Sequence, residues 1–360
     1  MGKSAHEAVR LLRRHELVLP KTLTMAITDR CNLSCGHCWL QAGATGKGEL
    51  PERTVRRLLA EFRELEGESV CLTGGEPLCH PAWLRLLQFA RSLGLEKASL
   101  QTNAMLVSDH DAEMLQDLGF RQLTIRVSLD GAVAASHDLV RGAGAFHGAL
   151  RGIDTLVKRG LAGSVVLSFT EMRHNLAEFA DLLRLADDLG LGGVSCGTLV
   201  RFGRGATSKL LAPPEPGQYA ELQRLHDNDA VFRERSARLG APAYLAWRQG
   251  EPPASGCTFV ENPYLTADGR LFPCVMCHAG SHAVSGVPGK GLIDSFAEGS
   301  ELWASLLEVS RNRAATMAAC AACPGRLLCG GGCLGRSWAA HGDFATPDDR
   351  CNCRRPVYSP

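Results

Sequence analysis

Three cysteines stand within eight positions in DRCNLSCGHCW, residues 29–39: Cys31, Cys35 and Cys38, spaced C-x3-C-x2-C. Four soft ligands close a zinc or an iron–sulfur site, and this run supplies three. The fourth position is then either a protein group, with His37 or a distant residue completing a zinc site, or an exogenous ligand on the open iron of a [4Fe–4S] cube. A second motif, TGGEP at 73–77, has Gly74 and Gly75 beside Glu76. Glycines let backbone come close to a small molecule, and a carboxylate can hold an ammonium group. By itself such a segment reads equally well as a turn between a strand and a helix.

A second set of cysteines lies far downstream. Cys257 is followed by eleven residues, Gly269, four residues and Cys274; then come Cys320, Cys323, Cys329 and Cys333, spaced C-x2-C-x5-C-x3-C, and seventeen residues later Cys351. Pairs spaced C-x2-C are also common zinc ligands. Cys277 and Cys353 each neighbour a member of the set, and Cys71, Cys79 and Cys196 belong to no such pattern. Isolated cysteines of that kind pack as small apolar residues; Cys71 and Cys196, on strands, could also return a hydrogen atom to a substrate radical.

The clustering of 15 cysteines, with no apolar export segment ahead of them, favours metal ligation in a reducing compartment over disulfides. The opening residues fit neither a cleavable signal nor the myristoylation pattern, with His6 in place of Ser or Thr. No apolar run is long enough to span a bilayer. Lys plus Arg number 39 against 38 Asp plus Glu, a balance that leaves no electrostatic footprint for nucleic acid or an anionic membrane. The expectation is a cytoplasmic protein.

Residues 21–205 alternate strand and helix. Strands are predicted at TLTMAIT (22–28), SVCLT (69–73), KASLQT (97–102), LTIRVS (123–128), SVVLSF (164–169) and GVSCGTLV (193–200). Between the first two, Val55, Leu58, Leu59, Phe62 and Leu65 mark one helical face. Six such units predict a parallel sheet wound as a partial (β/α)6 TIM-type barrel, short of the full eight, with the chemistry at the C-terminal ends of the strands. A short helix is expected over 1–20 and a charged helical bridge over 206–250. In 251–360 periodicity gives way to cysteine, glycine and turns, so this segment is expected to bury little apolar core and to depend on metal clusters as cross-links.

The triplet after the first strand, together with GGE after the second, resembles the radical S-adenosylmethionine (SAM) superfamily over residues 22–205. The resemblance implies that SAM chelates the open iron of a [4Fe–4S] cluster held by Cys31, Cys35 and Cys38, with Gly74, Gly75 and Glu76 at the methionyl amino group. QTNAMLV resembles the family's third-strand TNG pattern and brings in Asn103, with Ala104 in place of the usual glycine. VSLDG at 127–131 resembles the segment near the ribose, making Ser128 and Asp130 candidates, and HDLVRG at 137–142 offers Arg141 to the SAM carboxylate. The downstream cysteines resemble the SPASM module, which implies an α/β barrel followed by a C-terminal iron–sulfur-rich domain with two auxiliary [4Fe–4S] clusters. Carried over by position, Cys257, Cys274 and Cys333 serve the first and Cys320, Cys323, Cys329 and Cys351 the second. Whether Cys277 completes the first set, and whether Cys353 competes with Cys351, stays open.

The resemblance implies an oxidoreductase that generates a 5′-deoxyadenosyl radical to crosslink, oxidise or epimerise a peptide or protein side chain, reduced by a partner such as flavodoxin or ferredoxin. The same architecture also fits radical modification of a small molecule such as a haem precursor; a non-catalytic iron–sulfur or zinc protein is the reading from another class. No residue identifies a general base. Because the N-terminal stretch suits one short helix, a peptide leader is expected to be held by a separate small recognition protein or bypassed by direct reading of the core sequence.

Overall fold

The computed structural model describes residues 2–249, 257–280 and 282–358. The expected boundary between bridge and C-terminal region, at 250/251, lies outside the described residues. Helix α1 (Ala5–Arg14) precedes strand β1 (Thr22–Thr28). There follow α2 (Glu52–Glu64), β2 (Ser69–Gly74), α3 (Trp83–Ser92), β3 (Lys97–Thr102), α4 (Asp109–Asp117), β4 (Gln122–Ser128), α5 (Ala134–Arg141) and α6 (Ala145–Lys158). The alternation ends with β5 (Val165–Glu171), α7 (Phe179–Asp188) and β6 (Gly193–Thr198). Helices α8 (Arg204–Thr207), α9 (Pro216–Asn228), α10 (Ala230–Leu239) and α11 (Ala243–Gln249) form the bridge. The C-terminal region holds β7 (Tyr264–Leu265), β8 (Leu271–Phe272), α12 (Val287–Lys290), α13 (Leu292–Thr316), α14 (Arg326–Cys329), α15 (Leu334–His341) and α16 (Cys351–Arg354).

Strands β1 to β6 pair in parallel, each with the next in sequence. Period-two alternation sets which side each residue faces. In β5, Val165, Leu167 and Phe169 are buried on one face while Val166, Ser168 and Thr170 stay partly open on the other. Register carries this across the sheet. Met25, Leu72, Leu100, Ile125, Val127 and Val165 face the helices and are fully buried. The opposite face presents Thr24, Cys71, Ser99 and Thr124 in one row, Ala26, Thr73, Gln101 and Arg126 above it, and Ser128, Ser168 and Ser195 above that. A complete TIM barrel fills its interior with branched apolar side chains; here the concave face is a polar lumen.

The C-terminal region departs from expectation. Its hairpin β7–β8 joins the barrel sheet, with β7 parallel to β1, so the order is β6-β5-β4-β3-β2-β1-β7-β8. Phe259, Tyr264, Leu265, Leu271, Phe272, Leu292, Phe296 and Trp303 are buried in the same core as the barrel. The expectation of little apolar core is therefore wrong for 257–316. Small residues on the buried stripe of α13, namely Ser295, Gly299, Ser300 and Ser310, dilute its helical period in sequence. That helix packs against α1 and α2, and Glu61 of α2 accepts hydrogen bonds from the backbone N–H groups of Leu292 and Ile293 at its start. Ser4 and Glu7 form a capping box on α1.

Residues 317–358 are closer to what composition suggests. Buried Arg313 donates to Ser337 Oγ (2.6 Å) and to the carbonyls of Gly332 and Thr346. Asp348, fully buried, receives Arg354 at 2.7 Å and the N–H of Cys333 at 2.9 Å. Arg336 pairs with Asp349 through two nitrogens and reaches the carbonyls of Thr198 and Leu199, tying α15 to the end of β6. Among the described residues, no helix is long and apolar enough to cross a membrane.

Candidate active site

The loop after β1 carries the cysteine triplet and is held by backbone. Cys31 N–H donates to Gly43 O (3.0 Å), Gly36 N–H to Val140 O (2.8 Å), and Arg204 Nε and Nη2 reach Cys35 O and Ala42 O, both at 2.8 Å. Cys31, Cys35 and Cys38 line one cavity of about 280 Å³ together with Gly74, Gly75, Glu76, Asn103, Ser128 and Arg141. Of the residues singled out from the sequence for SAM, Asp130 alone is outside this lining.

Glu76 is 1% exposed. Its Oε1 accepts from Thr102 Oγ1 (2.7 Å) and Leu78 N (3.2 Å), its Oε2 from Asn103 N (2.8 Å). Burial raises its pKa to about 6 despite these donors. Asn103 Nδ2 donates to Asn32 Oδ1 (2.8 Å), linking the third strand end to the cysteine loop. Ala104 lies at φ +62°, the left-handed region where glycine is at ease.

Asp130 is buried behind Arg141, whose Nε donates to its Oδ2 at 2.7 Å. His37 Nε2 lies 3.3 Å from the same oxygen, and Thr170 N–H donates to Oδ1 at 2.8 Å. Burial opposes ionisation of Asp130, but Arg141 and His37 outweigh it and hold the carboxyl well below its usual range. Asp130 therefore orients Arg141 and does not meet the cavity. With Nε engaged, Arg141 turns Nη1 toward Cys35 Sγ (3.9 Å) and Nη2 toward His37 Nε2 (3.4 Å).

The glycines serve a purpose the sequence did not reveal. A Cβ on Gly75 would sit 2.4 Å from Arg30 O, and one on Gly74, at φ +139°, 2.3 Å from Thr28 O. Their N–H-bearing backbone packs on residues 28–30, with Gly75 N–H to Thr28 O at 2.7 Å and Glu76 N–H to Arg30 O at 2.8 Å. Glycine here locks the Glu76 turn to the cysteine loop. Gly75→Ala is expected to cost about 1–3 kcal/mol through overpacking against backbone, read as a fall in the thermal midpoint, with a weakened cysteine loop as its local sign.

Downstream, Cys320, Cys323, Cys329 and Cys351 surround one small cavity with Arg326, Arg354 and Tyr358. Cys353 turns elsewhere, its Sγ 3.2 Å from Pro214 O. Cys274 and Cys277 have sulfurs 3.5 Å apart, and Cys277 is buried within the electrostatic reach of Cys257 and Cys333. Burial lifts the Cys257 thiol to about 11, and Ser310 Oγ donates to it at 3.1 Å. Among the described residues no three His, Cys, Asp or Glu side chains converge as a single metal ion would require. Trp39, next to Cys38, meets His278, next to Cys277, with ring centroids 5.1 Å apart, so the two cysteine loops touch through aromatic rings.

Residues 25–186 match the Radical SAM superfamily. The chain is 26% identical over 351 residues to the AdoMet-dependent heme synthase of Methanosarcina barkeri, covering 92% of this chain and 96% of that protein. It is 29% identical over 271 residues to the mycofactocin maturase MftC of Mycobacterium ulcerans, covering 74% of this chain and 65% of that one. Its fold is shared with Streptococcus suis SuiB bound to S-adenosylmethionine, at TM-score 0.75 and 18% identity over 96% of this chain and 80% of SuiB. SuiB bound to its precursor peptide SuiA superimposes at TM-score 0.76, with 17% identity over 96% of this chain and 79% of SuiB.

The fit of this cavity to the cluster and cofactor of the radical SAM superfamily can be tested on its own atoms. Burial pushes Cys31 up to about 12 and raises Cys35, so thiolates there need a cation to stabilise them. His37 Nδ1 and Thr198 Oγ1 are buried in the cavity lining without a partner among the described residues. Such orphaned groups are satisfied by a polar ligand. Three thiols, one carboxylate and two unmet polar atoms suit a cluster with one open iron and a zwitterionic cofactor. Arg204 was not legible as a cavity residue, since nothing in sequence marks an arginine after the last strand; His37, read from the sequence as a possible zinc ligand, lines the cavity and lies against Asp130. Cys196 pairs with Phe169, a core-facing residue, so it points away from the lumen, whereas Cys71 faces it.

Proposed function

We propose that this radical SAM enzyme modifies a side chain of a peptide or protein substrate. The observation that carries the proposal is the single cavity that joins three thiols, the Glu76 turn and a polar barrel lumen. Cys31, Cys35 and Cys38 would hold a [4Fe–4S] cluster and Glu76 the SAM ammonium, with Asn103, Ser128 and Arg141 as further cofactor contacts. Cluster and SAM, when bound, supply a carbon-centred radical able to take hydrogen from unactivated carbon. The residues of this chain position the cofactor and keep water out: Asp130 fixes Arg141, and Arg204 pins the cysteine loop. We assign a first auxiliary cluster to Cys257, Cys274, Cys277 and Cys333 and a second to Cys320, Cys323, Cys329 and Cys351. A flavodoxin or ferredoxin is the expected electron source.

The names of the maturase and of the peptide-bound SuiB support a peptide substrate, as does a lumen of Ser, Thr and Gln. The nearly full-length match to a heme synthase favours a second reading, a haem precursor, whose flat apolar macrocycle suits these polar rows less well. The test is anaerobic: reconstituted, dithionite-reduced protein should convert SAM to 5′-deoxyadenosine and methionine, and a precursor peptide should change mass while a haem precursor does not. No 5′-deoxyadenosine overturns the proposal; turnover of the haem precursor alone moves it to the second reading.

Glu76 adds a pH signature. Its pKa is raised to about 6 in the SAM-free protein, so the anion that pairs with an ammonium is lost as pH falls through that value. SAM affinity is expected to decline below about pH 6, by roughly tenfold per unit. Glu76→Gln should bind more weakly by about 1.5–3 kcal/mol and show no such slope. Equilibrium dialysis between pH 5 and 8 reads both; a flat wild-type curve would argue that Glu76 only shapes the turn.

A further inference from the structure

We propose that Arg126 is the anchor for a carboxylate of the substrate, deep in the barrel lumen. This inference rests on the function proposed above and narrows its substrate to an acidic one. Arg126 pairs with Gln101 across β3 and β4, and paired residues share a face of the sheet. Gln101 is exposed and lines the cavity, and Ser128, two residues beyond Arg126 on the same face, lines it too. Arg126 thus lies on the concave side, in the row of Thr73 and Gln101 that forms the lower part of the cofactor cavity.

What sets Arg126 apart is its lack of an acid. Arg141 is held by Asp130, and Arg204 spends its nitrogens on backbone carbonyls. Arg126 makes no ion pair among the described residues, and the group it acts on electrostatically is the buried thiol of Cys71. Glu76, the carboxylate of the cavity wall, already accepts from Thr102, Asn103 and Leu78. A partly buried guanidinium without a counter-ion attracts an anion strongly, because low-dielectric walls screen it poorly. Its planar fork matches a carboxylate in two hydrogen bonds. The hydroxyls of Ser168 and Ser195, on the row above, are donors for the polar group next to that carboxylate.

The carboxylate can come from an Asp, Glu or C-terminus of a peptide, which the proposed function favours, or from the propionates of a tetrapyrrole. Reconstituted protein with SAM bound is offered two random octapeptide pools, one containing Asp and Glu with free C-termini, the other Asn and Gln with C-terminal amides. A porphyrin with propionate side chains forms a third arm. Wild type should retain the acidic pool or the porphyrin at least tenfold better than the amide pool, and which of the two is retained names the source. Arg126→Gln should abolish the preference with SAM affinity unchanged, and Arg126→Lys, which keeps the charge if Gln unfolds the barrel, should retain part of it. No preference in wild type, a preference that survives Arg126→Gln, or an equal loss of SAM affinity overturns the assignment. Formation of 5′-deoxyadenosine is measured alongside: its absence counts against the proposed function, while its presence without a carboxylate preference counts against Arg126 alone.

Discussion

Replacing Cys31, Cys35 and Cys38 together by Ala should leave a folded protein that has lost about four of about twelve irons and all cleavage of SAM. The fold should survive because the loop is held by its main chain and by Arg204, with Arg204 Nε on the carbonyl of Cys35 and the Cys31 N–H on Gly43 O. None of these contacts uses a thiol. Removing three small side chains, of which Cys31 and Cys35 are buried, costs roughly 1 kcal/mol each at most, so the far-UV spectrum and the downstream clusters should persist. Iron determination and chromatography of 5′-deoxyadenosine check both halves. A triple variant with its full iron complement would show that the first site is wrongly assigned.

Asp130→Ala should be the most destabilising single change in the barrel, about 3–5 kcal/mol. It strips the counter-ion from buried Arg141 and leaves the Thr170 N–H and a His37 nitrogen without their acceptor. Arg141 would then be free to swing, and SAM binding should weaken along with the fold. Asp130→Asn keeps one acceptor and loses the charge, so its cost should fall between. The folded-state pKa of Asp130 is depressed. Its contribution is therefore fully present above the unfolded carboxylate value near 4 and is lost only as pH falls further toward the folded value. Denaturant unfolding from pH 8 to 5 should show a constant wild-type advantage over Asp130→Asn. An advantage that already shrinks between pH 7 and 5 would mean that Asp130 does not carry the charge that orders Arg141.

The six parallel strands were legible because their apolar runs are short, regularly spaced and separated by amphipathic helices such as the one bearing Val55, Leu58 and Phe62. The cysteine triplet and Glu76 were legible because few residue types do their chemistry. Asp130 was visible as a residue of interest but not as a second-row support, since one-dimensional spacing does not tell which carboxylate faces the cavity and which holds its neighbour. The role of Gly74 and Gly75 was hidden for the same reason: the atoms they make room for belong to residues 28–30, forty-odd positions earlier. Helix α13 and the hairpin at Tyr264–Phe272 escaped because small residues dilute the one and two-residue strands are too short to show alternation. Arg126 carries no motif at all; only register places it beside the lower part of the cofactor cavity.

The pairing of β1 with β7 also governs the order in which the molecule can be made. Thr24 finds Tyr264, and Met25 finds Leu265, about 240 residues later in the chain. At ribosomal rates of ~5–20 residues per second, β1 waits roughly 10–50 s for that neighbour. During this time β1 to β6 can already assemble, each on its predecessor, while the free side of β1 remains a row of unpaired N–H and C=O groups. Such an edge is a template for foreign strands, and a pairing this remote in sequence is slow to close even in the finished chain. The strand that leads into the cysteine loop is thus the last of the barrel to be covered, so nascent chains of this protein are at their most aggregation-prone between completion of β6 and emergence of the β7–β8 hairpin.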